Sequence, residues 1–285
     1  PGVINSVNAA DLNNVDLIIA DSANVTFHVA GQNYWDDNGT HMPATMHALQ
    51  GCNSSTLRIK DSATLTMEVP QFLYDHTDDF DGGYRGLANF TEVIVEGQTT
   101  VNLDCLHLYH DGDTGVSQKF YQRGGTVNVN AHPNCNGDEQ GNISYFYDPV
   151  NIHTGALLQI EGGKLNITAN HSGDVAADGT LINVWQGTLQ VSGGQIVLDS
   201  NIPGTGIMVD GNEENLGRLN FTSGALTEKS SRQDITFLNI GYNGRATFAG
   251  GTIRSDGGYV SLYAHMDWFA KDFRKGDPVY TDTVL

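Results

Sequence analysis

Aspartate, histidine and aromatic residues crowd into four stretches in the first half of this 285-residue chain. Residues 28–50 carry Asn33-Tyr34-Trp35-Asp36-Asp37-Asn38, and residues 68–90 carry Tyr74-Asp75-His76-Thr77-Asp78-Asp79-Phe80-Asp81. Residues 104–118 carry His107-Leu108-Tyr109-His110-Asp111-Gly112-Asp113, and residues 130–155 carry Tyr145-Phe146-Tyr147-Asp148 and His153. Nine of the ten histidines precede residue 172, most of them in these stretches. Such a mixture suits neutral sugars. Carboxylates and amides take paired hydrogen bonds from hydroxyls, and Tyr or Trp covers the apolar face of a pyranose. Trp35, Asp36, Asp37, Tyr74, Asp78, Asp79, His110 and Tyr147 are therefore the candidate ligand contacts. An equally weighted reading makes the same stretches a lid whose rings form a satellite core.

Two other chemistries compete for these acids. Hard oxygen ligands at alternating positions suit Ca²⁺, which makes Asp75, Asp78, Asp79 and Asp81 one candidate set and Asp111 with Asp113 another. Neither has the EF-hand spacing, and a solvated turn is the simpler reading of each. Glycoside hydrolysis needs two carboxylates at a set separation. Asp36-Asp37 and Asp78-Asp79 could offer such a pair, but adjacent residues in an extended chain point to opposite faces. The Asn-Thr-Asp and Gly-His-Gly strings of β-helical pectin hydrolases do not occur in the sequence. β-Elimination needs a cation to hold an enolate, and only Arg85 lies within the four stretches. Binding is expected ahead of catalysis, with no catalytic residue assigned.

What must position these stretches is a repeat. Leu158-Gln159-Ile160-Glu161-Gly162-Gly163-Lys164-Leu165 recurs as Leu189 to Ile196, Leu219 to Leu226 and Ala246 to Ile253. Variants run from Leu17 to Val25, Leu57 to Leu65, Val93 to Val101 and Phe120 to Val127. The last apolar residues of these units are Val25, Leu65, Val101, Val127, Leu165, Ile196, Leu226 and Ile253. Units of this size, each strand–tight turn–strand, imply a solenoid. One pair of four-residue strands buries too little to stand alone, so units must stack. The expected fold is all-β: a single right-handed parallel β-helix of about eight coils over residues 1–260, roughly 40 Å long at one strand spacing per coil. Loops leaving equivalent places on successive coils should lie side by side on one flank of the N-terminal half. Leu17, Leu57, Val93, Leu158, Leu189 and Leu219 should form one inward column.

Residues 261–285 break the repeat. Leu262 to Lys275 fits one or two helical turns that Gly276-Asp277-Pro278 would stop, so a short C-terminal cap helix over the open end is expected. An assembly contact joining rods is the alternative for this segment.

The formal net charge of −19 argues against nucleic acid and anionic lipid, which require clustered Lys and Arg. No apolar run is long enough to span a membrane. Cys52, Cys105 and Cys135 are too few and too odd for a disulfide framework, although Cys105 and Cys135 follow neighbouring repeats and could pair. Eight Asn-x-Ser/Thr triplets permit glycosylation without implying it. The chain opens Pro1-Gly2, so any targeting segment is expected to have been removed or to lie outside this sequence.

The Gly-Gly-(Thr/Lys/Gln)-(Val/Leu/Ile) turns, and phrases such as Leu238-Asn239-Ile240-Gly241-Tyr242-Asn243-Gly244-Arg245-Ala246-Thr247-Phe248, resemble pertactin-type passenger domains of bacterial autotransporter adhesins. The likeness covers most of the chain and is one of solenoid pattern. It implies a secreted or surface-displayed rod that binds a glycan or cell-surface receptor through its loops. Self-association through the C-terminal segment would be an extension of that role. The long His- and aromatic-rich loops depart from a plain passenger rod and keep phage receptor-binding proteins, filament subunits and polysaccharide-degrading β-helices open as alternatives.

Overall fold

The computed structural model describes residues 3–6, 11–29, 47–52, 54–68, 85–88, 90–103, 105–111, 116–130, 149–169, 179–201, 204–229, 235–255 and 262–264. Every regular element among them is a β-strand. All pairings are parallel except one short antiparallel pair, His110–Asp111 with Val116–Ser117. The chain winds as a parallel β-helix with three faces.

The first face stacks Asp16–Ile19, Thr56–Ile59, Glu92–Val95, Lys119–Gln122, Leu157–Ile160, the opening halves of Thr188–Ser200 and Gly217–Glu228, and Gly244–Phe248. The expected inward column is present and longer than foreseen: Leu17, Leu57, Val93, Phe120, Leu158, Leu189, Leu219 and Ala246 are in register. Leu57 through Leu219 are fully buried, while Leu17 and Ala246 at the ends are partly so. Ion pairs cross the outer edge of this face and its turn, with Arg58 near Glu96 at 3.7 Å and Arg123 near Glu161 at 3.2 Å.

The second face stacks Val3–Ser6, Asn24–Val29, Thr64–Glu68, Thr100–Leu103, Thr126–Asn130, Lys164–Ala169, the closing halves of the two long strands, and Thr252–Ser255. Each of the eight residues that end the sequence units pairs with its counterpart one coil on, from Val25 to Ile253. The turn between these two faces holds a residue with positive φ in every coil: Asp21, Asp61, Gly97, Gly125, Gly163, Gly194, Gly224 and Gly251. Two constraints select glycine there. The left-handed conformation disfavours a side chain, and the coil below is close: a Cβ on Gly97 would lie 2.7 Å from the Asp61 carbonyl oxygen. The first two coils use aspartate instead, and Asp61 Oδ2 accepts the Asp21 N–H at 3.2 Å.

A third face completes each coil. It begins with Asp11–Asn13, His47–Cys52 and Arg85–Ala88, and continues as Leu106–Leu108, Val150–Ile152, Gly179–Trp185, Gly204–Asp210, Ile235–Ile240 and Leu262–Ala264. The sequence repeat shows only two strands and a turn in each unit, and this third strand is an addition to it. Two readings change with it. His107 and Leu108 lie in a strand, not a loop. Leu262–Ala264 is a strand paired with Leu238–Ile240, so the coil path continues past residue 260. The cap helix expected over residues 261–285 is not present at Leu262–Ala264, and the rest of that segment lies outside the described residues.

Candidate functional site

The corner between the second and third faces receives the long segments. Residues 30–46, 69–84 and 131–148 each join a second-face strand to the third-face strand that follows it. On the first, second and fourth coils the described chain therefore leaves and re-enters the helix at the same corner. Trp35, Asp36, Asp37, Tyr74, Asp75, Asp78, Asp79, Asp81 and Tyr147 fall within these segments and lie outside the described residues.

The stretch 104–118 is different. On the third coil the chain passes from Leu103 on the second face almost directly to Leu106 on the third. The excursion comes later, between the third and first faces, where His110–Asp111 pairs with Val116–Ser117. His110 and Asp111 are therefore at another corner, and Asp113 lies outside the described residues. The reason is the third-face strand itself, since Leu106 and Leu108 point inward and must join the core, with His107 buried between them. Among the described residues, no group of three or more His, Cys, Asp or Glu side chains is placed to hold a metal ion. Both candidate Ca²⁺ sets lie wholly or partly outside those residues. Cys105 is buried within the core, and Cys135, its suggested partner, is also outside.

What the described chain does bring together is a strip on the third face. His107, Asn151 and Asn183 are in register on its outward side, between the inward pairs Leu106–Val150–Ile182 and Leu108–Ile152–Val184. One residue beyond the strand ends, Tyr109 stacks on His153 with centroids 4.3 Å apart and planes 15° apart. His107 meets Tyr109 edge-on at 6.0 Å. Trp185 occupies the equivalent place one coil on and is 37% exposed. Gln118 anchors this edge from the other side: its Oε1 accepts the Tyr109 N–H at 2.9 Å, and the Gln118 N–H donates to the Tyr109 carbonyl at 3.1 Å.

The rings of Tyr109 and His153 stack along the rod axis, so they cover each other's faces. Trp185 is the ring of this strip with substantial exposure, and Tyr242, two coils further, is 44% exposed. Histidine and tyrosine in this region drew attention in the sequence; Asn151, Asn183, Gln118 and Trp185 did not. Their signal is weak because an amide between two apolar strand residues reads as ordinary alternation.

No family model, curated protein or solved structure matches this chain.

Proposed function

We propose that this protein is a secreted or surface-displayed solenoid that acts as an adhesin, binding a neutral glycan at the corner between its second and third faces. The observation that carries the reading is the shared origin of segments 30–46, 69–84 and 131–148. A stacked coil converts three insertions separated in sequence into neighbours along one edge. Those insertions hold Trp35, Tyr74 and Tyr147 together with Asp36, Asp37, Asp78 and Asp79. Rings for stacking and carboxylates for hydroxyl pairs are the side chains that a neutral sugar requires. The adjoining third face adds amides and the exposed Trp185. A charge of −19 opposes acidic glycans unless Ca²⁺ bridges them, and Asp75, Asp78, Asp79 and Asp81 supply hard oxygen donors for that ion.

The test is a glycan array probed with and without Ca²⁺, alongside turnover assays on the same sugars. Trp35→Ala is expected to weaken binding by roughly 1 kcal/mol, about fivefold, with little change in melting temperature. A sharp fall in melting temperature with binding intact would make the segment a packed lid. Cleavage of a bound sugar that disappears in Asp36/Asp37 or Asp78/Asp79 variants would replace adhesion by hydrolysis.

A further inference from the structure

The outward side of the second face differs from the rest of this acidic molecule. On the first four coils it presents two aligned columns, Asn24–Thr64–Thr100–Thr126 and Thr26–Thr66–Asn102–Asn128. None of the eight is charged, in a chain carrying 33 acidic and 14 basic residues. All are at least partly exposed. The register runs without a bulge through these coils and on to Lys164 and Asn166. The spacing is therefore regular: about 4.8 Å from coil to coil and about 6.6 Å between alternate residues of a strand. The side chains are also held in place. Asn102 Nδ2 donates to Thr66 Oγ1 at 3.2 Å, Asn128 Nδ2 to Asn102 Oδ1 at 2.9 Å, and Asn166 Nδ2 to Asn128 Oδ1 at 2.8 Å.

The chemistry of this face excludes most partners. Its two columns hold no cluster of cations for phosphate or sulfate and no carboxylate for a basic peptide; His28 and Glu68 stand in the next position along their strands. Neither column carries a ring on which a sugar could stack. Four coils and two columns give a strip about 20 Å long and about 10 Å wide, roughly 200 Å² and well under the ~800 Å² that each partner buries in a stable protein interface. What remains is a ligand that is neutral, built of hydroxyl-like donors and acceptors, and periodic in two directions. The coil spacing and the alternate-residue spacing are close to the oxygen repeats on a prism face of ice. Threonine offers a methyl group to sit between water positions and a hydroxyl to join them. Each ladder asparagine spends one N–H on its neighbour and keeps the other for water. We infer that the second face of coils one to four is an ice-binding surface, independent of the corner at which a glycan is proposed to bind.

The full chain would be assayed for thermal hysteresis and for inhibition of ice recrystallisation. Thr100→Lys and Thr126→Lys are the informative variants, because both lie mid-face and neither takes part in the asparagine ladder. Each is expected to cut activity roughly tenfold or more, since an ammonium pressed against ice loses its hydration without a partner. Thr100→Val, which keeps shape and removes the hydroxyl, guards against misfolding of the lysine variants and should lower activity less. Gln190→Lys on the outward first face is the control, and far-ultraviolet circular dichroism reports the fold of each variant. Shaping of ice crystals that survives in Gln190→Lys and is lost in both lysine variants supports the inference. No effect of the unaltered protein on ice, or equal activity in all variants, overturns it. So does retention on fibres of a neutral polysaccharide in place of ice.

Discussion

At the scale of single residues, the turn between the first and second faces sets the strictest demand. Gly163 has φ of +73°, and a Cβ there would collide with the Gly125 carbonyl oxygen of the coil below. Gly163→Ala meets both the left-handed strain and the clash, and neither can relax without moving a neighbouring backbone. A loss of about 2 to 4 kcal/mol is expected, read by chemical denaturation. Gln122 points the other way. It occupies an inward column position between Val95 and Ile160 and is 0% exposed. Its Nε2 donates to the Gly125 carbonyl at a long 3.5 Å, and its buried Oε1 meets no partner. A buried acceptor without a bond costs its full desolvation. Gln122→Leu should therefore stabilise the protein by about 1 kcal/mol and raise the melting temperature by about 2 °C. A fall in melting temperature would mean that the amide is satisfied in solution.

Elements explain what was readable in the sequence. The first and second faces were legible because a tight turn joins them, and that turn stamps Gly-Gly or Asp-Ser-Ala between two apolar alternations. Val25 through Ile253 could be aligned on this mark alone, and each pairs as aligned. The third face lacks such a stamp. Leu106–Leu108 and Val150–Ile152 are three residues long, so each shows a single apolar–polar–apolar alternation, too short to mark a strand. It also follows segments of very unequal length, which hides its period. That is why the 104–118 stretch was grouped with corner insertions to which it does not belong. The candidate ligand residues were legible as composition only, since their positions depend on that same third strand. On the second face, the asparagine ladder yields an element-level prediction. Asn128 both accepts from Asn166 and donates to Asn102, whereas Asn166, at the end of the ladder, only donates within it. Asn128→Ala should cost about 1 to 2 kcal/mol and Asn166→Ala about half of that. A double-mutant cycle between the two should show coupling; strict additivity would mean that the ladder holds side chains in place without adding stability.

For the whole molecule, one core runs uninterrupted along the axis, from Ile19 and Phe27 on the first coil to Phe248 on the last described one. Each coil touches only the coils above and below, so stability is built from coil terms and coil–coil interfaces. A side chain removed from the middle damages two interfaces, whereas one removed from the end damages one. Leu158 lies between Phe120 and Leu189 and is fully buried, while Leu17 has only Leu57 as its described column neighbour and is partly exposed. Leu158→Ala should cost about 3 to 5 kcal/mol, because the cavity is walled on both sides and cannot collapse. Leu17→Ala should cost about 1 kcal/mol, in proportion to its smaller buried area. The denaturation slope distinguishes how the loss is felt. If the rod unfolds as one unit, both variants keep the parent slope and differ in midpoint alone. If the end coils open separately, Leu17→Ala lowers the slope, and hydrogen exchange quickens in Asp16–Ile19 and Thr56–Ile59 while Leu157–Ile160 stays protected. Equal losses for the two substitutions would contradict the nearest-neighbour picture, and with it the view that the N-terminal coils are the softer end of the rod.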